Sequence, residues 1–423
     1  MINTKSLKKL TLIGSLYVSQ FIPAFFIYQA LPVFMRQKGV SLQLIGLLPL
    51  VVIPVMLKFL WSPLIDRYGF TRWGHYKFWI ICFQFLVICT VISLAFLGIN
   101  QNFVILLLGM LLLSFLCSSQ DIATDALAVG LLEPQERGLG NGIQTSGNYT
   151  GAVIGGGGML ILLSRWGWRA TLLTMALIML IALIPIIRHR ERINKPPTSS
   201  KNAPGLKNLI TFYRRPGMRK WLLMLVFYSS GTMMATTMFR PLLVDIGLSL
   251  AEIGLLLGIV SYSAGILGAI LAGLLIVPLG RKKSLILFGL IRTLAICTYL
   301  LPAFGITNLS VLYFVAICVQ ISIGMATTPL YTVMMDKSNI DTAGTDYTMQ
   351  KHADASQVTL KGEIKFNNIV LQIIDNGKGF NFDAPHSGFG LKGMQERVDI
   401  LAGEMIIDSR KIQGTCINIL IPF

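Results

Sequence analysis

Hydrophobic residues in this chain come in long blocks separated by short polar links, from about residue 11 to residue 335. A hydrocarbon layer about 30 Å thick takes roughly 20 residues of helix. Read at that length, the pattern predicts ten spans, near 11–35, 43–65, 77–98, 102–131, 140–163, 167–187, 220–241, 252–278, 284–304 and 309–335. The first block is too long for a signal peptide and lacks a small-residue cleavage site, so it reads as a spanning helix. After residue 350 the pattern changes. "NNIVLQIID" alternates as a strand does, and Leu391, Met394, Val398 and Leu401 share one helical face that Gly403 closes. "EMIIDSRKIQGTCINILIPF" reads as a closing hairpin.

Composition agrees: 54% of the residues are hydrophobic and 13% charged, the balance of a polytopic membrane protein rather than a soluble domain. The formal charge of +17 is unevenly placed. Residues 351–423 hold equal numbers of basic and acidic side chains, so the whole excess lies before them. There it gathers in alternate links between apolar blocks, around Asp66–Lys77, Glu133–Arg137, Arg188–Lys220 and Gly280–Lys283, while Gly98–Asn102 and Phe304–Ser310 carry no cation. This is an orientation signal rather than a nucleic-acid surface, and with Lys5, Lys8 and Lys9 ahead of the first block it places both termini in the cytoplasm. Five of the six cysteines sit inside apolar blocks, and neither they nor the four histidines show metal-ligand spacing.

The basic link Arg188–Lys220, which includes "KPPTSSKNAPG", divides six blocks from the rest. "SPLIDRYG" (Ser62–Gly69) and "GLLIVPLGRKK" (Gly273–Lys283) close equivalent blocks on either side, and Gly69 and Gly280 stand 211 residues apart. Such a parallel repeat is one transporter plan. The two loops resemble the signature of the major facilitator superfamily, the first through Asp66, Arg67 and Gly69, the second through Gly280, Arg281 and Lys282. "QALPVFMRQKG", "LKFLWSPLIDRYG", "SSQDIATDALAV", "ERGLGNGIQTSGNYTGAVIGGG" and "AGTDYTMQ" are similar to the AmpG-like branch, and within it to siderophore-import permeases. The resemblance ends at Gln350 and implies that the last two of twelve helices are absent. It further implies that Asp66 has lost the eleventh helix as its partner. The implied activity is proton-coupled uptake of a small molecule, a siderophore, through the bacterial inner membrane, by a monomer without a cofactor. A muropeptide or drug-type permease, an inactive chimera and a sensor kinase remain as alternatives.

Charged groups inside a bilayer are costly and by default functional. Asp121 and Asp125 lie one turn apart on the fourth block and so face the same way. Lys58, Gln144 and Asn148 enter at comparable depth, and the five are candidates for proton coupling or an inner gate; a structural charge cluster is the competing reading. Gln20, Tyr28, Gln29 and Arg240 are candidate substrate contacts. Gly147, Gly151 and Gly155, with Ala264, Gly268 and Ala272, are small-residue stripes on the two helices expected to meet between the halves.

The last 73 residues resemble the final part of a sensor histidine kinase ATPase domain of the kind paired with LuxR-like regulators. The resemblance gives Asp375 to the adenine amino group, Gly377 and Gly379 to the turn beside it, and Gly388 and Gly390 to the phosphates. Lys351-His352-Ala353 matches that family, but Thr348 and Gly344 stand where it has Asn and Glu, so the Mg²⁺ ligand is absent and no ATP chemistry is expected. The expected architecture is therefore an all-α polytopic facilitator fold with about ten of twelve helices and a small α+β tail, a partial GHKL ATPase fold. Its parts are a half at 1–187, a linker at 188–219, a truncated half at 220–350 and the tail at 351–423.

Overall fold

The computed structural model describes residues 4–69, 73–97, 103–191, 207–353, 359–365, 368–375, 404–410 and 414–422. Two compact units divide the chain, Met1–Asp354 and Ala355–Phe423. Every regular element assigned among the described residues of the first is a helix. Its principal helices are α1 (Thr4–Phe25), α2 (Tyr76–Phe96), α3 (Phe103–Leu131), α4 (Arg137–Ala152), α5 (Met159–Ala182), α6 (Met218–Asp245), α7 (Ser261–Leu279), α8 (Arg281–Cys297), α9 (Leu309–Lys337) and α10 (Ala343–Ala353).

Eight helical runs among the described residues are long and apolar enough to cross a membrane, where the hydropathy blocks predict ten. Two local causes account for the difference. The second block is not one helix but a chain of short turns, Leu48–Val52, Ile53–Leu57, Lys58–Leu60 and Ser62–Arg67. Pro49, Pro54 and Pro63 sit in the first turns of three of them. Each proline removes a backbone donor and crowds the preceding carbonyl, so a continuous ladder cannot form. The fifth and sixth blocks instead join in one run of 52 residues, Arg137–Arg188. At about 1.5 Å per residue this is more than twice the thickness of a bilayer. It breaks at Gly167, whose φ of 76° is open to glycine and strained for other residues.

The expected glycine stripes bring together different partners from those anticipated. α4 and α7 do pack on each other, but the contact runs through Gly138, Gly142 and Gly273, where a Cβ on Gly142 would stand 2.8 Å from the Ala269 carbonyl oxygen. Gly147, Gly151 and Gly155 turn to α1 and admit Tyr17, Phe21 and Ile22, while Gly268 admits the backbone of Ile321 on α9. The four-residue period identifies a smooth face but not the helix that lies against it.

One apolar core joins α1, α2, α3 and α5 through Leu16, Ile22, Val87, Met110 and Met175. Another, with Tyr17, Ala126, Trp221, Leu330, Met334 and Tyr347, joins α1, α3, α6 and α9 to α10. Helix α10 is thus a core element despite its short length. The second unit carries an antiparallel sheet of β1 (Thr359–Lys365), β2 (Asn368–Asp375), β3 (Glu404–Arg410) and β4 (Gly414–Pro422) in the order β1-β2-β4-β3. The register pairs Ile374 with Cys416 and Ile407 with Ile417. The amphipathic segment around Leu391–Leu401 lies outside the described residues.

The α1–α4 seam yields a paired prediction. A Cβ on Gly151 would stand 2.6 Å from that of Phe21 and 3.0 Å from the Val18 carbonyl oxygen, and one on Gly130 would meet nothing within 4 Å. Gly151→Ala should destabilise the protein by about 1–3 kcal/mol through overpacking, while Gly130→Ala should be neutral or gain up to about 1 kcal/mol in helix propensity. Melting midpoints in detergent check this; equal midpoints for the two variants would refute the close approach.

Candidate functional site

Asp121 and Asp125 project from one face of α3 into the bundle, 6% and 0% exposed. Neither ion is stable there alone, because a buried carboxylate must be paired or neutralised. Asp121 accepts from Lys58 and from the Gln20 side-chain amide. Lys58, 5% exposed, comes from the proline-broken segment, which is tied to α3 by Ser114 Oγ donating to the Val51 carbonyl at 2.6 Å and Trp61 Nε1 donating to Ser119 Oγ at 3.1 Å. Asp125 accepts from Tyr17 Oη at 2.5 Å and from Lys351 Nζ at 2.7 and 2.9 Å; Lys351 also stands 3.5 Å from Asp121. Two cations and two anions cancel. The arrangement can hold a proton or a cation at either carboxylate without leaving a large net charge in the bundle.

Helix α10 brings Lys351 here. Its first turn caps Asp66: Gly344 N and Thr345 N donate to the carboxylate at 3.0 and 2.8 Å, Thr345 Oγ1 at 2.6 Å, and Tyr76 Oη at 2.9 Å. The positive end of a helix dipole favours a carboxylate in this position. The expectation that Asp66 has lost its partner is therefore wrong, because "AGTDYTMQ" still begins a helix whose first turn supplies three of the four donors, Tyr76 of α2 giving the fourth. Along α10, Asp346 pairs with Arg215, Tyr347 Oη reaches Asn141 Oδ1 at 3.3 Å and Gln144 Oε1 at 3.5 Å, and Trp221 Nε1 donates to Gln350 Oε1 at 2.8 Å. The helix runs past Gln350 to Ala353, so Lys351, matched above to the kinase-like tail, belongs structurally to the helical unit.

The other anticipated residues disperse. Gln144 joins the network through Tyr347, whereas Asn148, one turn on, has no hydrogen-bond partner for its Oδ1 among the described residues. Gln20 serves Asp121 rather than an open cavity, and Tyr28 is 42% exposed. Gln29 donates to Tyr262 Oη at 3.0 Å, and Tyr262 stacks on Tyr149. Arg240 lies in α6 and its side chain is outside the described set. In the signature loops Gly69 and Gly280 hold φ of 109° and 79°. Arg67 is exposed beside the Tyr68 ring, and Lys282 is exposed. Arg281 and Arg137 share Asp336 at 3.1 and 2.8 Å, joining the starts of α4 and α8 to the end of α9. Asp375 ends β2; Gly377, Gly379, Gly388 and Gly390 lie outside the described residues. Sequence reasoning missed Tyr17, Asn141, Tyr347 and Lys351. Tyr17, Asn141 and Tyr347 each lie three residues before a polar side chain, Gln20, Gln144 and Gln350, but the first two alone fall within blocks read as spans.

The model of the Major Facilitator Superfamily matches residues 13–349, most of the chain, and the protein belongs to that superfamily. It is a multi-pass membrane transporter for a small molecule. An uncharacterized protein of Haemophilus influenzae is 31% identical over 340 residues, covering 75% of this chain and 78% of its own. The anhydromuropeptide permease of Escherichia coli K12 is 26% identical over 326 residues, and this chain spans 66% of that permease. A match of 76 residues, 17% of this chain and 20% of the other protein, is 45% identical to the signal transduction histidine-protein kinase/phosphatase DegS of Bacillus subtilis. The crystal structure of the E. coli fucose:proton symporter shares the fold, with a TM-score of 0.62 at 14% identity over 83% of this chain and 90% of that one. Siderophore import finds no support in these likenesses.

Two buried groups outside the spans titrate in opposite senses. Burial pushes the Asp66 carboxyl from 3.8 up to about 6, against the hydrogen bonds from Thr345, Tyr76 and Gly344 that favour its charge. Burial pulls His75 from 6.5 down to about 4, against a hydrogen bond with the Ile65 backbone. By linkage, the Asp66 contribution to stability is full below its ordinary value and is lost as pH rises through about 6. The His75 contribution is full above its ordinary value and is lost as pH falls toward about 4. The two slopes oppose each other and offset in part in the parent. Relative to the parent, Asp66→Asn should tilt the midpoint profile upward with pH, and His75→Phe should tilt it downward. Parallel profiles for all three chains would contradict these assignments.

Proposed function

We propose that this protein is a secondary active permease of the bacterial inner membrane that imports a muropeptide-type amphiphile with protons. The observation that carries the reading is the pair Asp121 and Asp125, enclosed within the helical unit and held by Lys58, Lys351, Tyr17 and Gln20. A buried carboxylate that exchanges one cation partner for a proton is the simplest coupling element such a bundle offers. The similarity to the anhydromuropeptide permease supports the substrate class. The siderophore expected from the sequence is not retained.

The tail is, on this reading, a fragment derived from a histidine kinase ATPase domain, which the likeness to DegS supports. It performs no phosphoryl transfer, since Thr348 stands in place of the Asn that would hold Mg²⁺ and Gly344 in place of the Glu beside it. A fluorescent ATP analogue should bind the full chain no better than its Asp375→Asn variant, and a clear difference would disprove the vestigial role.

The direct test is uptake of a labelled anhydromuropeptide by vesicles with an imposed proton gradient, in a host lacking its own permease. Gradient-dependent uptake is expected in the parent and at least a tenfold loss in Asp125→Asn at equal protein level. Gradient-driven uptake unaffected by Asp125→Asn would remove the coupling role, and no uptake above empty vesicles would remove the permease reading.

A further inference from the structure

Lys351 Nζ is enclosed more completely than a salt bridge requires. Besides the carboxylates of Asp125 and Asp121 on α3, it lies 5.2 Å from the Tyr347 ring centroid, 5.8 Å from that of Tyr331 on α9 and 5.9 Å from that of Tyr17 on α1. Two carboxylates and three aromatic faces are the elements of an ammonium-binding cage: the anions supply Coulomb attraction and hydrogen-bond acceptors, and the ring quadrupoles attract what remains of the charge. Gln20, 4% exposed, donates to Asp121 with its amide nitrogen and keeps Oε1 without a hydrogen-bond partner among the described residues, one more acceptor beside the cage. All five cage residues lie within the stretch matched by the superfamily, 13–349. The ammonium comes from two residues beyond it.

We infer that Asp121, Asp125, Tyr17, Tyr331 and Tyr347 form a binding site for a primary alkylammonium group, which this chain fills with its own Lys351. The ligand class follows from the geometry. Nζ donates to two oxygens of one carboxylate and approaches a third on its neighbour, a task for a compact cation with several N–H donors. A quaternary ammonium has no N–H to give. A guanidinium is planar and would not fill a cage shaped round a point charge. The remaining charged group of the cluster, Lys58 from the broken second segment, is engaged with the far oxygen of Asp121 and completes the balance. With Lys351 in place the site is closed to external amines; without it, one buried negative charge is left uncompensated and the cage accepts either a proton or an amine. The inference uses the carboxylates of the proposed coupling site but no transport result, so the two fail separately.

A hydrophobic carbodiimide, which modifies protonated carboxyls, gives the readout on the full chain in detergent, with the adduct on Asp125 located by mass spectrometry. The parent should react slowly at neutral pH, and Lys351→Ala at least tenfold faster. Propylammonium should then protect Lys351→Ala in a saturable manner, whereas propanol, sodium and tetramethylammonium at equal concentration should not. Should the alanine variant aggregate, Lys351→Met, which keeps the stem and removes the ammonium, carries the same prediction of faster labelling. The inference is overturned if the parent and both variants label alike, or if propylammonium protects no better than tetramethylammonium.

Discussion

Charge taken out of water has to be answered by charge, and the helical unit of this protein is organised around that requirement. Asp121 and Asp125 are both inside the bundle and neither can remain ionised alone, since removing one partner of a buried pair costs about 3–5 kcal/mol. Their answers come from three separate stretches of chain: Lys58 from the second segment, Tyr17 and Gln20 from α1, Lys351 from α10. Each of those stretches is held where it must be for this purpose. The second segment breaks at prolines and is tied to α3, α1 sinks into a glycine face of α4, and α10 is anchored by Asp66 at one end and by Asp125 at the other.

Helix α10 consequently does more than its eleven residues would indicate. Its first turn presents free N–H groups to Asp66, its middle buries Tyr347 in the core, and its last turn delivers an ammonium to α3. A helix this short is marginal in isolation; here tertiary contacts at every turn sustain it. The same helix joins segments of two different resemblances, since the superfamily match stops at residue 349 and the lysine lies beyond it.

Some of this was legible in the sequence. A carboxylate in an apolar block announces itself by cost alone, and the four-residue spacing puts Asp121 and Asp125 on one face, so the centre of the site was visible, with Lys58 beside it. Lys351 was not, because its motif belonged with the tail and sequence carries no sign that a helix crosses the junction. Hydropathy located the blocks but counted the second as a span, although Pro49, Pro54 and Pro63 were in plain view: block length registers apolar content and is blind to missing donors. The glycine periods were equally plain, yet periodicity specifies a face and never its neighbour, and Gly151 meets α1 rather than the other half. The substrate lay furthest from reach, as it depends on cavity residues that no spacing rule singles out.

The central claim is that Lys351 and Asp125 stabilise this bundle as a pair rather than as two separate residues. A double-mutant cycle measures that directly, with the stabilities of the parent, Lys351→Met, Asp125→Asn and the double variant compared in one detergent. The account predicts that either single change is strongly destabilising and that the double variant is more stable than Lys351→Met alone, because removing the second charge relieves the first. Additive losses, with the double variant the least stable of the four, would contradict it.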